Sequence, residues 1–405
     1  MQLKRILAWA SYDLANTIFS ALFVTFFFPF YIKNFLGGNE LQIGIVFGSS
    51  MLLVAIIVPV LGSISDKLQR RMPFIIFFTI ACCIFTFLVA FAGLYAALIF
   101  GFIANYCYHG ALTMYNALLP SVSSKEKLGH ASGIGVAMGY AGTLISLAIA
   151  YPLLQYFGWE TLNGAKAMIA ISGILFFAFS LVLFFSIREK PALKSDKIRS
   201  AVSSSIRDFK NNFRKIRKQK GLFNYLLSLI FYNDAINAVV IFLFLFGREQ
   251  IGLSVQNFFY VYAVFALVAA VASLVSGRMS DHFGSKKILL ASGFLWIVVV
   301  LLLIAVRNLA GFILIGSLGG IALGMFMTAS RPKLIEIVPE KNIAEYFGFF
   351  ELADKFAGVT GPIVFGFLAF KYGYTAGLFS LLAFFIAGIF FLKKVPESNV
   401  KNTPV

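Results

Sequence analysis

The chain has 405 residues, 60% of them hydrophobic, with a mean hydropathy of +0.88 and a formal net charge of +17. Soluble domains run at about 45–50% apolar residues, so a water-soluble enzyme or binding module is excluded, and 48 Phe fit a lipid-facing surface instead. The positive charge reads as topology, not nucleic-acid binding: with the N-terminus in the cytoplasm, 28 of the 34 Lys and Arg fall on that side and five on the other, the asymmetry that orients membrane proteins.

Crossing a bilayer takes roughly 20 apolar residues per helix. Twelve such helices are predicted, near 6–35, 41–62, 73–92, 94–119, 131–153, 165–187, 221–246, 256–277, 288–306, 309–330, 345–370 and 374–392. Helix 1 carries Asp13 and Asn16, one turn apart. Polar groups inside hydrocarbon cost several kcal/mol and must face protein or water. After helix 2 comes Gly62-Ser63-Ile64-Ser65-Asp66-Lys67-Leu68-Gln69-Arg70-Arg71. Helix 4 holds Asn105, His109, Thr113 and Asn116, which at 100° per residue share one stripe. Helix 5 contains Gly133, Gly135, Gly139 and Gly142, a small-residue run that permits close packing or a bend.

Residues 188–220 carry twelve Lys and Arg and separate six helices from six. Within that linker Ile198, Val202, Ile206, Phe209, Phe213 and Ile216 recur every three or four residues among basic ones. This is the pattern of an amphipathic helix, lying on an anionic leaflet or clamping the two halves. The expected domains are thus 1–187, the linker 188–220, and 221–405. Helix 7 then carries Asp234 and Asn237, one turn apart, and helix 10 ends in Arg331 and Lys333. Helix 11 contains Gly358, Gly361-Pro362 and Gly366, with Lys355 beside Asp354 and one turn after Glu351. The glycines of helices 5 and 11 are candidate hinges, and Lys355 is expected to be neutralised by its acidic neighbours.

The loop after helix 2 recurs after helix 8 as Gly277-Arg278-Met279-Ser280-Asp281-His282-Phe283-Gly284-Ser285-Lys286-Lys287, displaced by 215 residues. Gly37 and Gly252 keep the same spacing. By that register Asp13 matches Ser228, so Asp13 and Asp234 are not strict counterparts. Cys82, Cys83 and Cys107 lie inside apolar segments and offer neither a disulfide framework nor metal spacing. No nucleophile motif or phosphate loop appears either. The chain is therefore not read as an enzyme, and no cofactor, metal or nucleic-acid partner is expected. The first apolar run is too long for a cleaved signal.

A duplicated all-α membrane bundle, twelve helices in two six-helix halves with both termini cytoplasmic, resembles the major facilitator superfamily. The resemblance implies that helices 1, 4, 7 and 10 line a central path, with substrate bound near mid-membrane between the halves. It also implies that the repeated loops are gates. Gly62 and Gly277 would then allow close helix approach, while Asp66 and Asp281 would latch helix ends with Arg70, Arg71, Gly284, Lys286 and Lys287. The first copy departs from the pattern, with Gln69 where glycine is expected.

A narrower likeness rests on Tyr12-Asp13-Leu14-Ala15-Asn16, on Tyr115-Asn116-Ala117-Leu118-Leu119-Pro120 and on Gly139-Tyr140-Ala141-Gly142. It continues in Tyr232-Asn233-Asp234, in Ser330-Arg331 with Pro339, and in Ala344-Glu345-Tyr346-Phe347-Gly348-Phe349 followed by Lys355 and Gly361-Pro362. These strings resemble the vacuole-effluxer family, whose fungal member exports amino acids. The likeness implies a secondary transporter of small solutes, with the cytoplasmic membrane as its compartment and monomeric, lipid-embedded protein as its form. Asp13, Asn16, Asn105, His109, Asn116, Asp234, Asn237 and Arg331 are the candidate substrate and proton pathway. Gly139, Gly142, Gly358, Gly361 and Pro362 are the candidate hinges. An amphiphile such as a lysophospholipid is the alternative cargo.

Overall fold

The computed structural model describes residues 2–68, 70–116, 118, 122, 128–187, 219–338 and 343–397. The chain divides into two compact units, Met1–Phe209 and Lys210–Val405. Their boundary, and the amphipathic helix expected at 198–216, lie outside the described residues.

In the first unit α1 runs through three segments, Gln2–Phe19, the π-wound Ser20–Phe27 and Phe28–Phe35. It is followed by α2 (Glu40–Leu68), α3 (Met72–Val89), α4 (Leu94–Asn116), α5 (Leu128–Phe157) and α6 (Leu162–Ser186). The second unit holds α7 (Lys220–Ile251), α8 (Val255–Phe283), α9 (Ser285–Ala305), α10 (Leu309–Ile337), α11 (Ile343–Phe356, then Thr360–Tyr372) and α12 (Tyr374–Lys393). Eleven of these, among the described residues, are long and apolar enough to cross a membrane. The twelfth, α4, is also long enough at 23 residues, but Asn105, His109, Asn116 and its tyrosines lower its hydropathy.

Local chemistry sets the helix ends. Side chains of Thr161, Ser254 and Asn308 accept from the backbone N–H groups of Gly164, Asn257 and Gly311 at 2.9, 3.1 and 2.7 Å, satisfying donors that a helix start leaves open. Gly37 and Gly252 stop α1 and α7 with φ of +72° and +77°, a left-handed turn that other residues enter at a cost.

The duplication is visible in the packing. In the first unit α1 lies on α5 and α6, α2 on α4, and α3 on α4 and α6. In the second, α7 lies on α11 and α12, α8 on α10, and α9 on α10 and α12. Each bundle therefore repeats one map of partners. Several crossings are close enough to need glycine, and two of them fall at matching places in the bundles. A Cβ on Gly142 of α5 would stand 2.5 Å from the Leu14 carbonyl oxygen, and one on Gly361 of α11 would overlap the Asp234 carbonyl.

Those crossings correct the register drawn from the loops. Tyr12 is buried with its hydroxyl on Thr79 of α3 (2.6 Å) and its ring on Phe176 of α6. Tyr232 is buried with its hydroxyl on the Leu289 carbonyl of α9 (3.2 Å) and its ring on Phe385 of α12. Tyr12 thus corresponds to Tyr232, Leu14 to Asp234, and Asp13 to Asn233, a spacing of 220 and not 215. The match of Asp13 with Ser228 does not hold. Between tyrosine and terminal glycine α1 spends 25 residues where α7 spends 20. The surplus is about one α-turn plus one residue. The wide Ser20–Phe27 segment lies in this stretch, and i→i+5 winding absorbs an inserted residue without rotating the helix beyond it.

Candidate transport pathway

The first cluster forms where α1, α4 and α5 meet. Asp13 is half-buried; its Oδ2 accepts from the Tyr115 hydroxyl at 2.9 Å and its Oδ1 from Asn16 Nδ2 at 3.2 Å. The Asn16 contact follows from their spacing of three on one helix. Thr17 Oγ1 donates to the Asp13 carbonyl at 2.8 Å. Tyr115 is held in turn by Trp9, whose indole stacks on it at 4.7 Å between centroids and donates to its carbonyl at 3.2 Å. Gly135 of α5 leaves the space that the carboxylate fills, since a Cβ there would overlap Asp13 Oδ2. Trp9, Tyr115 and Gly135 are members of this site that carry no charge, so a search for charged and amide side chains does not reveal them. Their signal is proximity to a known string: Tyr115 precedes Asn116, and Gly135 belongs to the glycine run of α5.

The α4 stripe divides. Asn105 is buried and donates to Ser50 Oγ of α2 at 2.6 Å, a contact within the bundle. His109 and Asn116 are half-buried, and Thr113 Oγ1 donates to the His109 carbonyl at 3.0 Å.

The second cluster forms where α7 crosses α11. Pro362 lacks an N–H and its ring crowds the carbonyl four residues back, so a helix cannot run through it undisturbed. α11 is interrupted between Phe356 and Thr360. At the break Asp234 Oδ1 accepts from the Gly361 N–H at 2.8 Å, while Asn237 Nδ2 donates to the Ala357 carbonyl at 2.9 Å. Nearby, Asn233 Nδ2 donates to Asp354 Oδ1 at 3.2 Å, and Asp354 Oδ2 pairs with buried Lys355 at 2.9 Å. Lys355 is thus neutralised by Asp354; the Glu351 side chain lies outside the described residues. The two candidate hinges differ, because α5 stays helical through Gly139 and Gly142, with no proline there to break it, whereas α11 breaks at Gly358 and resumes before Gly361-Pro362.

Arg331 is half-buried on α10. Two residues on, Lys333 is fully buried, its Nζ 3.0 Å from Glu336 Oε2 and 3.0 Å from the Pro396 carbonyl. The loop residues Gly62, Asp66 and Asp281 have side-chain positions outside the described set. Arg70 and Arg71 are half-buried before α3, a Cβ on Gly277 would stand 3.6 Å from the Thr328 side chain of α10, and Gly284 turns the chain at φ +90°. Lys286 reaches the carbonyls of Lys393 and Val395 at 3.1 and 2.5 Å, while Lys287 is exposed. The loop lysine is therefore engaged by the segment that follows α12. Among the described residues no group of three or more His, Cys, Asp or Glu is placed to hold a metal.

The family model for the vacuole effluxer Atg22-like proteins matches residues 43–403. The chain belongs to that family. This Atg22-like chain is 24% identical to the uncharacterized MFS-type transporter YxiO of Bacillus subtilis (strain 168), over 97% of this chain and 95% of that one. It is also 24% identical to the multidrug resistance protein MdtG of Yersinia enterocolitica, over 91% and 87%. Among solved structures it resembles a bacterial homolog of the human lysosomal transporter Spinster in an inward-facing, unoccupied conformation, with a TM-score of 0.73, 16% identity and 97% of each chain covered. The nucleoside transporter NupG superposes with a TM-score of 0.71 at 14% identity, over 96% and 97%. The fold is that of the major facilitator superfamily, and the chain is a multi-pass membrane transporter.

Proposed function

We propose that this protein is a secondary active transporter that exports amino acids or similarly small metabolites by alternating access, in exchange for protons. Membership of the effluxer family over residues 43–403 is the observation that supports export; the amino-acid class rests on the resemblance to the family's fungal member. The coupling rests on Asp13, an acid within a membrane helix that is half-buried and bonded on both oxygens by neutral donors. An acid so placed exchanges a proton without losing its position, because Tyr115 and Asn16 hold it in either charge state. Within the second unit Arg331 on α10 is the proposed contact for a substrate carboxylate, and within the first His109 and Asn116 are the proposed polar contacts on α4. Both termini and the 188–220 linker are assigned to the cytoplasmic side of a cell membrane, and the working unit is a monomer.

The test is transport in proteoliposomes under an imposed pH gradient, with labelled apolar amino acids. Asp13→Asn keeps the size and one acceptor oxygen of the site but cannot ionise. It is expected to abolish gradient-driven flux while leaving counterflow exchange. Full gradient-driven flux in Asp13→Asn would remove Asp13 from the coupling.

A second reading, an amphiphilic cargo such as a lysophospholipid, is favoured by one feature. A shallow apolar groove of about 370 Å³ lies open on the outer surface between α3 and α6, lined by Ile80, Cys83, Ile84, Phe87, Ile174 and Phe177. Lysolipid competition against amino-acid flux in the same vesicles separates the two cargoes.

A further inference from the structure

In a continuous helix the Gly361 N–H would bond to the Ala357 carbonyl, four residues back. Here both ends of that single bond are taken by α7: the N–H by the Asp234 carboxylate and the carbonyl by the Asn237 amide. Asp234 and Asn237 lie one turn apart on α7, so their side chains enter the α11 ladder at adjacent levels. A side chain inserted into the i→i−4 ladder is a recognised cause of a sharp bend. Gly361 makes the insertion sterically possible, since a Cβ there would overlap the Asp234 backbone. Asp234 is buried, and the Thr360 N–H lies alongside its carboxylate. The carboxylate thus serves the open N-terminus of the second α11 segment, as the amide serves the open end of the first.

We infer that Asp234 and Asn237 form a wedge that replaces one backbone hydrogen bond of α11, and that these two positioning residues, not proline and glycine alone, hold the bend. α11 then has two arrangements, wedge in with the ladder open, or wedge out with Gly361 bonded to Ala357. An element with two discrete arrangements is the physical requirement for a hinge. Its service in alternating access rests on the transporter reading above; the wedge itself does not.

Wedge and ladder compete for the same two backbone groups, which gives the proposal an unusual signature. Asp234→Ala strands the Gly361 N–H while the Asn237 side chain still stands at the Ala357 carbonyl, so the amide must give way before the ladder bond closes. Adding Asn237→Ala frees the carbonyl and lets the ladder bond form. The double variant is therefore expected to melt at a higher temperature than Asp234→Ala alone, and Asp234→Asn, which keeps an acceptor oxygen, close to the parent. The measurement is thermal unfolding of the full chain in detergent, run as a double-mutant cycle. If the two alanine substitutions add, or the double variant melts below Asp234→Ala, the side chains are ordinary buried contacts and the wedge is overturned. Should Asp234→Ala give no folded protein, the same comparison is read as folded yield: recovery on adding Asn237→Ala supports the wedge, and no recovery overturns it. None of these readings depends on transport, so an inactive protein leaves the test intact.

Discussion

The tyrosine beside Asp13 shows how much a single uncharged residue can decide. Tyr115 donates to the carboxylate through its hydroxyl and accepts from Trp9 through its carbonyl, and the two rings stack. Replacing it by Phe keeps the stack and removes only the O–H. A hydrogen bond to an ionised group is worth about 1.5–3 kcal/mol, and one to a neutral group about 1 kcal/mol. Tyr115→Phe should therefore lower stability more at a pH where Asp13 is ionised than at one where it is protonated. Thermal unfolding of parent and variant across a pH series checks this; a difference that does not change with pH would mean that Asp13 keeps one charge state throughout. Lys333 makes a related point. A fully buried ammonium is tolerable only when paired, and here Glu336 and the Pro396 carbonyl supply the partners.

At the scale of elements, the α1–α5 crossing depends on glycine more than on any polar contact. Gly142 faces the Leu14 carbonyl, a backbone atom that cannot swing aside as a side chain would. Gly142→Ala is expected to cost about 1–3 kcal/mol as overpacking, seen as a lower Tm, whereas an unchanged Tm would show that α5 can shift freely along α1. The end of α12 is fastened by a different device. Val395 is buried, Lys286 and Lys333 bind carbonyls of residues 393, 395 and 396, and Gly221 leaves room for the Pro396 ring. The segment after α12 thereby ties together one end of α7, α9, α10 and α12.

On the scale of the whole molecule, the duplicated packing map means that each bundle solves the same problem with different residues. Tyr12 and Tyr232 occupy matching places, but the acids do not: Asp13 corresponds to Asn233, and Asp234 to Leu14. Being one residue apart in the shared register, the two acids point about 100° apart around their helices. Asp13 meets α4 and α5, and Asp234 enters α11. Orientation is the other question at this scale. The distribution of Lys and Arg predicts that both ends of the chain face the cytoplasm. A green fluorescent protein fused to Val405 in a bacterial host is expected to fluoresce, and a dark but membrane-inserted fusion would reverse the assignment.

Twelve membrane passages, the duplication, the helices that carry polar groups and the family likeness are all legible along the chain. Transfer free energy and loop charge are nearly additive properties of short segments, so they survive without knowledge of neighbours. Asp13, Asp234 and Asn237 stand out in this way, and the Gly361-Pro362 pair stands out as a candidate hinge. Their partners do not. That the Asp234 carboxylate meets the Gly361 N–H, that Gly135 makes room for Asp13, and that Lys286 reaches the end of α12 depend on helix crossings, which bring together residues about 100 or more positions apart. The 215-residue spacing of the loops could not predict the 220-residue spacing of the tyrosines, because the surplus turn and inserted residue of α1 leave no mark in hydropathy. Hydropathy says that a helix is buried; it does not say which backbone group lies opposite each side chain, and that pairing is where the chemistry of this transporter resides.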